Sequence, residues 1–124
     1  MKHTLLVEDE EKLIDIVALV LQDEGYDVQK SLTAEEALQV APSFHPDLII
    51  SDMKMGEMDG FTLFEKVRSD DRIGKVPFIF LTALDDSSTR QKAQSLGATA
   101  YVTKPFDVME LISLVKTALI PAPR

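Results

Sequence analysis

Short apolar runs alternate with amphipathic stretches along this chain, and the alternation sets the expected fold. The runs are Leu5-Leu6-Val7, Leu48-Ile49-Ile50, Phe78-Ile79-Phe80-Leu81 and Tyr101-Val102. Each is short and almost uninterrupted, as strands buried on both faces of a parallel sheet are. A further run, 26–32, alternates more and carries Asp27, Gln29 and Lys30, which suits an edge strand. Between the runs the period becomes helical. Leu13, Ile16, Val17, Val20 and Leu21 make a stripe that Gly25 is expected to stop. Thr33-Ala34-Glu35-Glu36 is a capping box opening a helix through Ala34, Ala37, Leu38 and Ala41, with Pro42 expected to help end it. Asp59-Gly60 starts another helix with Phe61, Phe64 and Val67 inward, and Gly74 and Pro77 bracket the turn into Phe78. Residues 86–95 are nearly all polar, with Ala93 and Leu96 as anchors, so this helix should be the loosest element. The last helix has Asp107 and Glu110 as a cap pair, Phe106 stapled onto Leu111, and a stripe of Val108, Leu111, Ile112, Val115 and Leu119.

Strict alternation of strand and helix implies right-handed crossovers and a parallel sheet covered on both faces. The expected fold is α/β, a doubly wound (βα)5 flavodoxin-like three-layer sandwich, and order 2-1-3-4-5 fits about five strands.

Every buried run ends in a residue that handles phosphate or its metal: Glu8-Asp9, Asp52, Thr82 and Lys104. Side chains just past the carboxyl ends of parallel strands converge on one rim, where open α/β sheets bind ligands. Three carboxylates that close need a cation, and a Thr and a Lys beside them suit a phosphoryl group. The pocket reads as a site for magnesium and phosphate.

Composition narrows the classes. A chain of 124 residues fits one domain, expected over 1–120, with 121–124 a tail or the start of a linker. Thirteen basic against 21 acidic residues give a formal charge of −8, which argues against nucleic-acid binding by this chain. Without Cys there is neither a disulfide framework nor a thiolate metal site. Neither a signal-peptide pattern nor a membrane-length apolar stretch is present, so a cytoplasmic location is expected. His3 and His45 show no partner pattern, and Met53, Met55 and Met58 read as loop packing.

Taken together and in order, Leu6-Val7-Glu8-Asp9-Glu10, 47–52 ending in Asp52, Met58-Asp59-Gly60, Leu81-Thr82-Ala83, and Gly97-Ala98 leading to Tyr101-Val102-Thr103-Lys104-Pro105-Phe106 resemble a receiver domain of the bacterial two-component response regulators. The resemblance runs from Thr4 to about Leu119. It implies phosphorelay signalling, with Asp52 as phosphoacceptor and Glu8 and Asp9 holding Mg2+, or Mn2+ in its place. It further implies a Lys54 backbone carbonyl on the metal, Thr82, the Ala83 backbone N–H and Lys104 on the phosphoryl group, and Tyr101 as switch aromatic. The implied donor is a sensor His kinase or a His phosphotransfer protein. The implied target is an output domain or downstream protein, reached through the fourth helix, last strand and last helix, with a phosphorylation-dependent homodimer left open. Such a domain catalyses only its own phosphorylation and dephosphorylation. By the same resemblance, the Lys104-Pro105 bond is expected to be cis.

Two departures matter. Gly56 stands where the family commonly has Pro, which should leave that loop less pre-set in φ. Thr99-Ala100 replaces an acidic pair used for dimerisation by many transcriptional members, which puts that dimer in doubt. Two rival classes fit worse. A haloacid-dehalogenase-like phosphohydrolase needs a second Asp where Lys54 stands, and a flavodoxin needs a hydroxyl-rich phosphate loop where Glu8-Asp9-Glu10 would repel phosphate.

Overall fold

A computed structural model describes residues 2–54, 56, 58–84 and 86–119. Met55 and the expected tail at 121–124 lie outside the described residues. The elements run β1 (His3–Val7), α1 (Glu11–Asp23), β2 (Asp27–Ser31), α2 (Ala34–Phe44), β3 (Leu48–Ser51), α3 (Gly60–Ser69), β4 (Phe78–Thr82), α4 (Ser87–Ser95), β5 (Ala100–Thr103) and α5 (Val108–Ala118). The five strands form one parallel sheet in the order β2-β1-β3-β4-β5, as the alternating pattern predicts. β3 and β4 are buried along their whole lengths, whereas edge strand β2 is half-exposed through Lys30 and ends buried at Ser31.

Because strand side chains alternate, the sheet feeds two separate cores. Leu5, Val7, Ile49, Phe78 and Phe80 pack under α2, α3 and α4 with Ala37, Leu63, Phe64 and Ala93. Leu6, Ile50, Ile79, Leu81 and Val102 pack under α1 and α5 with Ile14, Leu21, Leu111 and Val115. Phe64 meets Phe78 edge-on at 5.1 Å, and Phe78 meets Phe80 at 4.9 Å, so aromatic packing dominates the first core. Helix caps follow the expected chemistry. Thr33 accepts from the Glu36 N–H at 3.0 Å, Asp59 from Thr62 at 2.8 Å and Asp107 from Met109 at 2.8 Å. Gly25, at φ 94°, supplies the left-handed turn after α1.

Four details depart from the sequence pattern. α1 buries Ile14, Val17, Ala18 and Leu21, leaving Ile16 at 56 % exposure and Leu19 at 60 %. Almost every residue from Leu13 to Leu21 is apolar, so several stripes share the helical period and spacing alone cannot choose among them. α2 runs through Pro42 to Phe44, because a proline in the last turn forfeits little and the His45 N–H still reaches the Ala41 carbonyl at 3.0 Å. His45 itself caps the helix at φ 55°. Leu96 and Val108 are exposed, at 37 % and 40 %, while Leu63, absent from the expected stripe, is fully buried. His3, which sequence gave no role, stacks on Phe44 at 4.7 Å and hydrogen-bonds the Phe44 carbonyl through Nδ1 at 2.7 Å, joining the start of β1 to the end of α2.

Candidate functional site

Strand ends place the polar residues on one rim. β1 and β3 are neighbours with Val7 opposite Ser51, so the residues that follow, Glu8 and Asp52, emerge side by side. The Asp52 N–H donates to the Val7 carbonyl at 2.9 Å and locks that step. β4 ends on Thr82 and β5 on Thr103, one residue before Lys104. The Lys104 N–H donates to the Thr82 carbonyl at 2.8 Å. The Lys104-Pro105 peptide is cis, as expected.

Carboxylate oxygens of Glu8, Asp9 and Asp52 lie within 4.8 Å of one another. Glu8 and Asp52 are buried, whereas Asp9 is exposed. Lys104 bridges the two buried acids, with Nζ 2.5 Å from Glu8 Oε1 and 3.1 Å from Asp52 Oδ2. The other oxygen of each acid is held by main chain. Glu8 Oε2 accepts from the Glu10 N–H at 3.0 Å, and Asp52 Oδ1 accepts from Met53 at 2.6 Å and Lys54 at 3.4 Å. Burial pushes the Glu8 carboxyl above the usual carboxylate range, against the hydrogen bonds from Lys104 and Glu10, and Asp52 adds to the rise. Burial pulls on Lys104 in the opposite sense for a cation, yet contacts to Glu8 and Asp52 together hold its ammonium above the ordinary lysine value. One cation thus offsets part of the charge of three acids.

Thr82 is fully buried, and its Oγ1 accepts from the Leu84 N–H at 3.3 Å, which leaves the hydroxyl proton for another acceptor. The half-buried Tyr101 donates its hydroxyl to the Leu84 carbonyl at 2.5 Å, so it joins the rim through the loop after β4. Ala83, next after Thr82, and Lys54, whose N–H reaches Asp52 Oδ1, are exposed. Glu8, Asp9 and Asp52 therefore cluster, Lys104 joins Glu8 and Asp52 directly, and Thr82 lies on the adjoining strand end.

Two supports were not legible as such in sequence. Gly60 donates its N–H to the Met53 carbonyl at 2.7 Å, and a Cβ there would approach the Asp52 carbonyl to 2.6 Å, so only glycine lets α3 start against the Asp52 loop. Leu84 acts through its backbone, which no residue type signals. Gly56, at φ 43°, adopts a conformation closed to proline.

The donor set is all carboxylate oxygen, which suits a hard divalent cation such as Mg2+ and lacks the imidazole or thiolate that would favour zinc. The residues present fit the metal that the acidic rim implies.

The family described as response regulator receiver domain matches residues 4–116. A probable transcriptional regulator ycf29 from the alga Porphyra purpurea is 41 % identical over 94 % of this chain and 56 % of its own length. The DNA-binding dual master transcriptional regulator RpaA from Synechocystis is 34 % identical over 96 % of this chain and 49 % of its own. The chain therefore spans about half the length of these relatives. Among solved structures, chemotaxis protein CheY4 from Vibrio cholerae superposes with a TM-score of 0.90 at 32 % identity, covering 96 % of this chain and 99 % of that one.

Proposed function

This chain belongs to the response regulator receiver domain family, and from that membership and the rim geometry we propose that it accepts a phosphoryl group on Asp52 from a sensor His kinase or His phosphotransfer protein. The observation that carries the reading is the triad of acids within 4.8 Å with Lys104 bridging Glu8 and Asp52. An Asp52 carboxylate oxygen attacks phosphorus, the P–N bond to the donor histidine breaks, and the imidazole nitrogen keeps the electron pair. The product is an acyl phosphate, and most of the protein's work is positioning and charge neutralisation.

Asp52 is oriented for this by the Met53 N–H on Oδ1, which leaves Oδ2 toward Lys104. The ammonium, freed from a carboxylate that has become an acyl phosphate, stays at hand for a phosphoryl oxygen. Thr82 offers its hydroxyl proton to another, beside the Ala83 N–H. Glu8, Asp9, Asp52 and the Lys54 carbonyl would hold Mg2+, which when bound supplies charge neutralisation for the transferring oxygens.

The new charge would draw Thr82 toward Asp52, change the Leu84 loop to which Tyr101 is tied, and so alter the face made by α4, β5 and α5. That face would act on an output domain or downstream protein, in keeping with the transcriptional regulators among its relatives and a cytoplasmic place of work. A phosphorylation-dependent homodimer through this face would need contacts other than an acidic pair at Thr99-Ala100. No helix among the described residues is long and apolar enough to cross a membrane. Incubation with acetyl phosphate and magnesium, followed by intact mass, tests the assignment. A single adduct that is lost in Asp52→Asn is expected, and an adduct retained in that variant overturns it.

A further inference from the structure

α4 is held to the sheet by a different kind of contact from the other helices. Its nine residues bury Ala93 alone, so apolar burial supplies little of its docking. In its place, two of its cations lie on aromatic rings to either side. Lys92 Nζ sits 4.4 Å from the ring centroid of Phe61 on α3, and Arg90 Cζ sits 5.0 Å from that of Tyr101 on β5. Both rings pack on Phe80 of β4, at 5.5 and 6.3 Å between centroids. Three rings therefore form a bar beneath α4 with a cation of the helix on each end.

The two ends of the bar are fixed differently. Phe61 lies in the first turn of α3, which the Asp59 cap and the Gly60 to Met53 hydrogen bond pin in place. Tyr101 is tied through its hydroxyl to the Leu84 carbonyl, and the Leu84 N–H is tied to Thr82 Oγ1. Any turn of the Thr82 hydroxyl toward a new acceptor therefore acts directly on the Tyr101 end, whereas the Phe61 end has its own anchorage in α3.

Resting on the phosphoryl-acceptor reading above, we propose that Lys92 on Phe61 is the pivot of α4 and Arg90 on Tyr101 its release. Phosphorylation frees the first turns of the helix while its last turns stay seated, so α4 swings about its C-terminal end. The output surface is then the part of α4 around Arg90, and Lys92 is a positioning residue for it.

Amide hydrogen exchange followed residue by residue tests both ends. A cation–π contact of about 1 kcal/mol corresponds to roughly a fivefold change in an equilibrium. In the untreated protein, Lys92→Met keeps the aliphatic stem and removes the charge, so exchange at 92–97 should quicken by about that factor, with wild-type rates restored in Lys92→Arg. Arg90→Met should quicken exchange only up to residue 91. With acetyl phosphate and magnesium, the wild type should quicken at 90–91 and keep its rates at 92–97. Unchanged rates at 92–97 in Lys92→Met, or equal quickening along the whole helix on phosphorylation, overturns the pivot. Intact mass of the same samples keeps the two readings apart, since a missing adduct refutes the acceptor assignment while the untreated variants still decide for or against Lys92.

Discussion

Lys54 and Leu84 stand two residues beyond Asp52 and Thr82, positions that the resemblance to receiver domains places along the approach of water to a phosphoryl group on Asp52. Lys54 is exposed and can only donate hydrogen bonds, and Leu84 is half-buried against the aromatic core with both its backbone groups engaged. Neither side chain can accept a proton from attacking water, and Leu84 tends to exclude it. Slow self-dephosphorylation is the expected outcome, suited to a lasting response such as transcription. After removal of the donor, phosphate release from the wild type should take minutes or longer, and a Lys54→Asn, Leu84→Glu double variant should release it at least several-fold faster. Release within seconds from the wild type, or an unaccelerated variant, contradicts this account.

Among the elements, α4 is also the one whose stability should respond first to strong acid, below about pH 4. Asp86 caps it, and hydrogen bonds from the Thr89 hydroxyl, the Ser88 hydroxyl and the Thr89 N–H push its carboxyl from 3.8 down to about 2. A depressed carboxyl contributes stability that is complete above its ordinary value and fades as pH falls through the lowered one. Protection of the α4 amides, taken relative to the intrinsic exchange rate at each pH, should therefore fall between about pH 4 and pH 2 ahead of the other helices, and Asp86→Ala should abolish that step. An Asp86→Ala profile matching the wild type over this interval removes the cap from the account. Elements differ in how readable they were. Buried strands and capped helix starts were legible because each rests on a local rule, a short apolar run or a side chain facing an N–H two or three residues on. The inward face of α1 was not, since an almost wholly apolar helix has no polar side to orient it. Rim residues could be placed by topology, because strand ends in a parallel sheet converge whatever the intervening chain does. The bridge from Lys104 to Glu8 joins residues 96 apart and the ring bar under α4 spans three elements, so neither leaves a trace in local spacing.

For the molecule as a whole, the rim sets function against stability. Carboxylates ~5 Å apart repel by roughly 3 kcal/mol at an effective dielectric near 20. Lys104 relieves Glu8 and Asp52 but makes no contact of this kind with the exposed Asp9. Asp9→Asn should therefore raise the melting temperature by a few degrees in chelator, and it should lose most of the gain expected for the wild type with magnesium. Asp52→Asn should raise it less, since it removes a partner of Lys104 along with a repulsive charge. Thermal melts with and without magnesium read both, and two variants less stable than the wild type in chelator would contradict a repulsive cluster. The opposite pole of the sheet holds a quieter arrangement. Lys116 near the end of α5 meets Glu24 after α1 at 3.4 Å, and the Asp27 N–H beyond it donates to the Lys2 carbonyl at 2.9 Å. The last helix thus finishes close to where the first strand begins, far from the acids. Joining those points by a short segment would cost little closure entropy, and a new opening between the exposed Asp71 and Arg72, ahead of the buried Ile73, would cut no strand. A circularly permuted chain would keep every pairing and every rim group, so the order in which the segments are written along the polymer is separable from the switch they build.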